Sequence, residues 1–279
     1  MKIRQIAKVM VAIGLAIGLP HLISILTFDR IIKYNHVPFY SKKIPAELDG
    51  YKVAFISDTH SLPAKKLEAI VRNLNELKPD ILVLGGDFPS SPGAAMRSMA
   101  VLSKVVAKDG IYGVEGNHDD YVELFAAMER YDIQPLSNSG VALRKHLYLA
   151  GLEDLWNRIP DIQMAIGNSN KDDFIIIAVH NPDATMCLDT SSVDLIISGH
   201  THGGHATVFG LWAPVLTMQK KITVYGSRFQ SGWCKSRDET PVYVSNGVGT
   251  FVGVPRVFAR PEVVILTLRS SGTASLHIL

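Results

Sequence analysis

Between residues 53 and 205 the chain repeats one pattern five times: a short apolar run stops on aspartate, asparagine or histidine. Val53-Ala-Phe-Ile-Ser ends in Asp58-Thr-His60, and Ile81-Leu-Val-Leu ends in Gly85-Gly-Asp87. Gly110-Ile-Tyr-Gly-Val ends in Glu115-Gly-Asn117-His118-Asp119, and Phe174-Ile-Ile-Ile-Ala-Val ends in His180. Val193-Asp-Leu-Ile-Ile leads into Ser198-Gly-His200-Thr-His202-Gly-Gly-His205. Apolar runs of this length bounded by glycine or polar residues read as buried strands. Leu67, Ile70, Val71, Leu74 and Leu77 recur at helical spacing up to Pro79, and further helices are expected through Met96–Val106 and Tyr121–Arg130. Strands alternating with helices imply an α/β sheet, where ligands bind beyond the carboxyl ends of the strands. Leu147–Ala150, Val242–Ser245 and Val263–Leu268 complete the expected strand set.

Taken singly, each polar terminus has an ordinary explanation. Asp58 reads as a helix cap, Asp87 as a turn residue and Asn117 as a residue at positive φ. Five coincidences at the same end of successive strands need another one. Gly199, Gly203 and Gly204 let the backbone turn, so His200 and His202 can be aimed into a small volume. Neutral imidazole is the commonest protein metal ligand. The two cysteines, Cys187 and Cys234, offer neither a disulfide framework nor a thiolate metal site, which leaves nitrogen and oxygen as ligands.

Charge and hydropathy divide the chain. Seven of the 28 basic residues but only one of the 26 acidic ones lie in residues 1–43, so the remainder is net acidic. Nucleic-acid binding is not expected of such a body. Val9 to Phe28 carries no formal charge and is long enough to cross a bilayer as a helix. Residues 1–28 therefore read as a single-pass membrane anchor. A cleaved signal peptide is the alternative, but the apolar run continues past Ala16-x-Gly18, the small-residue candidate cleavage site. Basic residues flank the span on both sides and leave its orientation open, with a lean toward an extracytoplasmic catalytic domain. Residues 29–50, with Pro38, Pro45 and Gly50, read as a linker, and residues 51–279 as one folded domain. A fragment lacking residues 1–43 is accordingly expected to fold.

The blocks Asp58-x-His60, Gly86-Asp87, Gly116-Asn117-His118-Asp119, His180 and Gly199-His200-x-His202 resemble, in order, the signature of the calcineurin-like metallophosphoesterases. The resemblance covers about residues 51–268. Gly-His-Thr-His-Gly-Gly, with Pro261-Glu262, is similar to the bacterial membrane-associated branch that includes a UDP-diacylglucosamine pyrophosphatase. The resemblance implies a four-layer α/β/β/α sandwich around two divalent or trivalent metal ions (Mn, Fe or Zn). It assigns Asp58, His60 and His202 to one metal, Asn117, His180 and His200 to the other, and Asp87 to both. It makes His118 the catalytic histidine. Two such cations share a hydroxide and clamp the attacking and leaving oxygens of an in-line displacement. The implied activity is hydrolysis of a phosphodiester or pyrophosphate. A phosphomonoesterase or cyclic-nucleotide phosphodiesterase is the alternative within enzymes, and a non-catalytic membrane-tethered scaffold the alternative outside them.

Departures from the family refine this. Asp87 is followed by Phe88-Pro89-Ser90-Ser91, not by the x-x-Asp-Arg of members acting on phosphoproteins. His205 stands where branch members often have glutamine, and it and Arg228 are candidate substrate-binding residues. The plainer reading of His205 is a loop histidine in solvent, and of Asp119, Asp120, Glu153 and Asp154, caps and surface charges. The segment from His205 to Pro241 has little periodicity. Val208-Phe-Gly-Leu-Trp212-Ala-Pro-Val-Leu216 is apolar, and Lys220, Lys221, Arg228, Lys235 and Arg237 follow. Core packing with solvated charges is one reading. The other dips Phe209, Leu211 and Trp212 into a membrane while the basic residues hold the phosphate of a lipid or lipid precursor.

Overall fold

The computed structural model describes residues 3–60, 62–88, 93–250 and 255–271. Pro89, Ser90 and Ser91, part of the departure from x-x-Asp-Arg, lie outside these. The first half runs α1 (Ile3–Leu26), β1 (Lys33–Ser41), β2 (Lys52–Ile56), α2 (Ala64–Leu77), β3 (Ile81–Leu84), α3 (Ala94–Leu102), β4 (Ile111–Gly113), α4 (Tyr121–Arg130) and β5 (Gln134–Pro135). The second runs β6 (Ser139–Arg144), β7 (Leu147–Gly151), α5 (Ile162–Ile166), β8 (Phe174–Ala178), α6 (Ala184–Cys187), β9 (Leu195–Ser198), α7 (Pro214–Met218), β10 (Gly232–Lys235), β11 (Pro241–Val244) and β12 (Glu262–Ser270). Two six-stranded sheets result, ordered β1-β12-β2-β3-β4-β5 and β10-β11-β9-β8-β7-β6. Neighbours from β2 to β5 pair in parallel, as do β7, β8, β9 and β11.

The inner strands β2, β3, β7, β8 and β9 are apolar on both faces because both faces are covered. Val53, Phe55 and Val83 of the first sheet pack with Leu149, Phe174, Ile176 and Ile197 of the second in a core between the sheets. Their neighbours Ala54, Ile56, Leu82 and Leu84 point outward onto Leu67, Ile70 and Leu74 of α2, Met99 of α3 and Met128 of α4. Ile175, Ile177 and Ile196 pack outward with Ile162 and Ala165 of α5 and Ala184 of α6. The alternation of period two thus feeds three cores, and the layers stack α/β/β/α as expected. The helix stripe read from Leu67 to Leu77 is α2, closed by Lys78 in the left-handed conformation (φ 51°) ahead of Pro79.

The linker expected over residues 29–50 is corrected by the structure. Lys33–Ser41 is a nine-residue strand paired in parallel with β12 along its whole length. Val37, Phe39, Ile44 and Leu48 are buried in the core between the sheets. Pro38 disguises the strand, but β1 is at the sheet edge, where a residue without an N–H is tolerated. Ahead of it, α1 is long and apolar enough to cross a membrane, and only 6% of its most apolar stretch is buried.

Candidate metal centre

The carboxyl ends of β2, β3 and β4 in one sheet and of β8 and β9 in the other converge on one place. Asp58, Asp87, Asn117, His180 and His200 each follow one of these strands within a few residues. The loops turn sharply there. Asp58 (φ 54°), His60 (39°), Asp87 (59°), His200 (72°) and His202 (53°) all adopt left-handed backbone, which side chains other than glycine, asparagine and aspartate rarely do. The glycines beside them permit the approach. A Cβ on Gly199 would lie 2.5 Å from Asp58 Oδ2, and one on Gly116 would collide with Asp87 Oδ1. The loops then tie to one another. The His60 N–H donates to the Asp87 carbonyl (3.0 Å), and the His200 N–H to Asp58 Oδ2 (3.1 Å).

Two groups of side chains can each hold a cation: Asp58, His60 and His202, and Asp87, His180 and His200. Within each group the ligand atoms lie within 4.8 Å of one another. Asp87 joins the groups, because its Oδ2 lies 3.2 Å from His180 Nε2 and 3.6 Å from His60 Nε2. His60 Nε2 is 3.0 Å from His202 Nε2, and His202 Nε2 is 3.4 Å from Asp58 Oδ1. His180 Nδ1 is 2.7 Å from the Gly85 carbonyl, and His200 Nε2 is 2.7 Å from the Ile222 carbonyl. A carbonyl only accepts, so those nitrogens carry the protons. His200 Nδ1 therefore carries a lone pair 3.3 Å from His180 Nε2, and His180 Nε2 also faces Asp87 Oδ2; a cation here would take the place of the His180 Nε2 proton and accept both nitrogens. Asn117 Oδ1 is buried and has no hydrogen-bond partner among the described residues. This donor set, with an orphaned amide oxygen and no thiolate, fits hard or borderline cations such as Mn, Fe or Zn.

Electrostatics keep three of the histidines neutral and ready to ligate, and favour a proton on the fourth, His180. Burial pushes the His60, His200 and His202 imidazoles below their usual range, so they are neutral near pH 7. For His202 the nearby Arg256 adds to this. Burial alone would raise the Asp87 carboxyl, but His180, His60 and the His118 N–H hold it well below the usual carboxylate range. Burial likewise works against a charged His180, and Asp87 and Asp58 overcome it and raise its pKa.

Supporting residues include some that the sequence did not single out. Asp119, read as a cap or surface charge, accepts the N–H groups of Asp87, Phe88 and Gly116 (2.8 Å each) and so pins two ligand loops together. Burial, then the Asp87 charge, push its carboxyl up to about 7. Asp154 is also no surface charge. It is fully buried and accepts from the N–H groups of Trp156 and Asn157, and the Asn157 amide donates to the Asn117 carbonyl (2.8 Å). Asp120 does cap α4, through Val122 and Glu123, and Glu153 pairs with Arg158. Arg256 is buried against His202. Its guanidinium donates to the carbonyls of His202 (3.1 Å), Asn246 (2.7 Å), Gly249 (2.9 Å) and Ala259 (3.0 Å). Three of these carbonyls lie within ten residues of Arg256 and His202 is the distant one, so no local pattern marks the arginine's contact with the metal centre.

A cavity of about 330 Å³ opens over the centre, lined by Asp87, Asn117, His118, His200, His202 and His205 and walled by Val215, Gln219, Lys221 and Ile222. His118 is exposed into it, and its N–H binds Asp87 Oδ1 (2.9 Å). His205 is not in solvent: it is 6% exposed and its ring lies 5.8 Å from that of His202. Arg228 is not among the cavity residues. It donates to the Lys235 carbonyl (2.9 Å), while Lys221 supplies the cation at the cavity wall. The structure thus brings the seven expected ligands and His118 together with His205, and sets Arg228 apart.

Comparisons with known proteins agree with this geometry. Residues 51–204 match the family model described as calcineurin-like phosphoesterase. The chain is 30% identical over 269 residues to the "Uncharacterized metallophosphoesterase YkuE" of Bacillus subtilis (strain 168), covering 90% of this chain and 87% of that protein. It is 29% identical to the "Transmembrane protein with metallophosphoesterase domain" of Danio rerio, over 82% of this chain but 56% of that longer protein. One crystal structure shares the fold at 12% identity and a TM-score of 0.50, covering 71% of this chain and 91% of that one. With two ligand groups joined by one aspartate and the family model spanning the strands that carry them, the chain belongs to the calcineurin-like phosphoesterases and is a metal-dependent phosphoester hydrolase.

Proposed function

We propose that the protein is a membrane-tethered two-metal phosphohydrolase that cleaves a phosphodiester or pyrophosphate bond in a phosphorylated lipid or lipid precursor. The observation that carries this reading is Asp87, whose one carboxylate oxygen is approached by a histidine of each ligand group. Asp58, His60 and His202 would hold one cation; Asn117, His180 and His200 the other; Asp87 both. Such a pair, when bound, polarises phosphoryl oxygens and makes water nucleophilic at neutral pH. The chain's own residues supply the rest. Lys221, on the cavity wall, draws and orients the phosphate. His118, exposed in the cavity and held at its backbone by Asp87, is placed to stabilise charge on a phosphoryl oxygen or to protonate the leaving oxygen. Val215 and Ile222 give one wall an apolar surface suited to an acyl or isoprenoid chain.

A membrane location is supported by α1 and by the transmembrane name of the Danio rerio relative. The lipid reading is supported further by the similarity of the Gly-His-Thr-His-Gly-Gly block to the branch that includes a UDP-diacylglucosamine pyrophosphatase. The test is metal analysis of the purified full chain with hydrolysis of bis-p-nitrophenyl phosphate, followed by a panel of phosphomonoesters, cyclic nucleotides and lipid pyrophosphates in detergent. Two metals per chain, diester turnover and a preference for the lipid substrates are expected. A metal-free, inactive chain sinks the enzymatic reading, and a preference for monoesters sinks the diester assignment.

A further inference from the structure

The end of α1 is clamped to the loops that border the cavity. The His21 ring packs edge-on against Phe209 (4.7 Å between centroids) and Phe258 (4.9 Å), and those two rings are 5.6 Å apart. Asp29, just past the helix, accepts the Phe258 N–H (2.9 Å) and the Ser24 hydroxyl (2.5 Å). Arg260 Nε donates to the Ile31 carbonyl (2.8 Å). The 257–258 strand remnant is in turn bonded to the 206–212 turn, through Thr207 N–H to the Val257 carbonyl (2.9 Å).

That turn, closed by Val208 N–H to the Trp212 carbonyl (2.8 Å), continues directly from the cavity residues His205 and Ala206 and carries exposed apolar side chains. Leu211 is 84% exposed, Trp212 49% and Phe209 42%. The chain then dives into the fold at Ala213 and Leu216 before supplying Val215, Gln219, Lys221 and Ile222 to the cavity. One short segment therefore has an apolar tip at one end and the substrate wall at the other.

The position of the tip relative to a bilayer follows from α1. A spanning helix ends at the membrane interface, and His21 lies five residues before Leu26, roughly 7–8 Å back along the axis. A turn packed on His21 is then at interfacial depth, where tryptophan and apolar side chains are most at home. Lys220 and Lys221, exposed just beyond, suit anionic headgroups.

We propose that the 208–212 turn is a membrane-seating tip. Phe209, Leu211 and Trp212 insert into the leaflet that α1 exits, and α1 acts as a locating pin that holds the cavity mouth against that leaflet. The occupant of the apolar tip is the phospholipid bilayer. This deepens the lipid-substrate reading and rests on it for its purpose, though the seat is measured independently of turnover.

The test uses the full chain in phosphatidylcholine–phosphatidylglycerol nanodiscs with Trp156→Phe and Trp233→Phe, which leaves Trp212 as the sole tryptophan. Brominated acyl chains are expected to quench most of its emission, and aqueous acrylamide little of it. An environment-sensitive dye on Leu211→Cys, in a chain with Cys187→Ser and Cys234→Ser, repeats the measurement if the tryptophan replacements impair folding. Free quenching by acrylamide without quenching by brominated lipid overturns the seat. Protection from both quenchers also overturns it, by showing that a second copy covers the tip. Hydrolysis of bis-p-nitrophenyl phosphate in the same sample reports the metal centre separately, so a seated but inactive chain upholds the tip while counting against the proposed reaction.

Discussion

Deleting residues 1–43 should abolish folding, whereas deleting residues 1–28 should not. The longer deletion removes β1, with its nine register pairs to β12 and the buried Val37 and Phe39. Burial of two such side chains is worth roughly 1.5–3 kcal/mol each. If about eight ladder hydrogen bonds contribute roughly 0.5–1 kcal/mol apiece, the strand accounts for on the order of 7–14 kcal/mol. That matches the whole stability of an ordinary domain, about 5–15 kcal/mol. The deletion also strips partners from Glu262 and Tyr243, both hydrogen-bonded by Asn35 (2.9 and 2.7 Å). The shorter deletion keeps Asp29 and its bond to Phe258 and removes a helix that buries little. The assay is purification of both fragments, circular dichroism with thermal melting, and metal content. A fragment 44–279 with a cooperative melt and wild-type metal content would refute the argument that β1 belongs to the domain.

Asp87→Asn should lower metal content at both groups together, measured by elemental analysis, and retention of two metals per chain would remove the bridging role. His118→Ala should keep its metals and lose about two to four orders of magnitude in kcat, the usual span for a positioned acid or base; unchanged turnover would rule the residue out. Arg256→Met removes the guanidinium from the carbonyls of Asn246, Gly249 and Ala259, at about 1–3 kcal/mol each where water does not enter, while the His202 carbonyl keeps the His205 N–H. We expect a lower Tm and selective loss of the metal bound by His202, and a wild-type melt would contradict this. Burial pushes the Cys234 thiol up to about 12, so at pH 8 it is almost wholly protonated, while Cys187 is exposed. A thiol reagent should therefore titrate Cys187 quickly and Cys234 slowly, and two equally fast thiols would count against the placement of β10.

The strands that hold the ligands were readable because a strand covered on both faces must be apolar throughout, and Ile81–Leu84 and Phe174–Ala178 leave little room for another reading. The ligands stood out for a related reason: a charged or imidazole side chain directly after such a run has to be used or solvated. Edge strands carry no such signal. β1 mixes Lys33, Asn35 and His36 with Pro38, and β6 and β10 alternate between half-buried and exposed residues. Arg228 belongs to a basic cluster in the sequence, and proximity there does not show that the Lys235 carbonyl at the end of β10, not the cavity, receives its guanidinium. The role of Arg256 depends on carbonyls that only the folded chain brings together. In the segment after His205, Ala213, Leu216 and Phe229 are buried as core packing requires, while Leu211 and Met218 face outward, a division that composition alone does not reveal.

The left-handed backbone at Asp58, His60, Asp87, His200 and His202 has a bearing on the stability of the metal-free chain. A strained residue of this kind costs of order 1–3 kcal/mol, less for aspartate than for histidine. Replacing any of the three histidines with glycine or asparagine would relieve the backbone cost in its loop, against the contacts that its ring makes in the metal-free chain. Five of the seven expected ligands thus sit in conformations that a metal-free fold does not favour, and a bound metal would offset that cost.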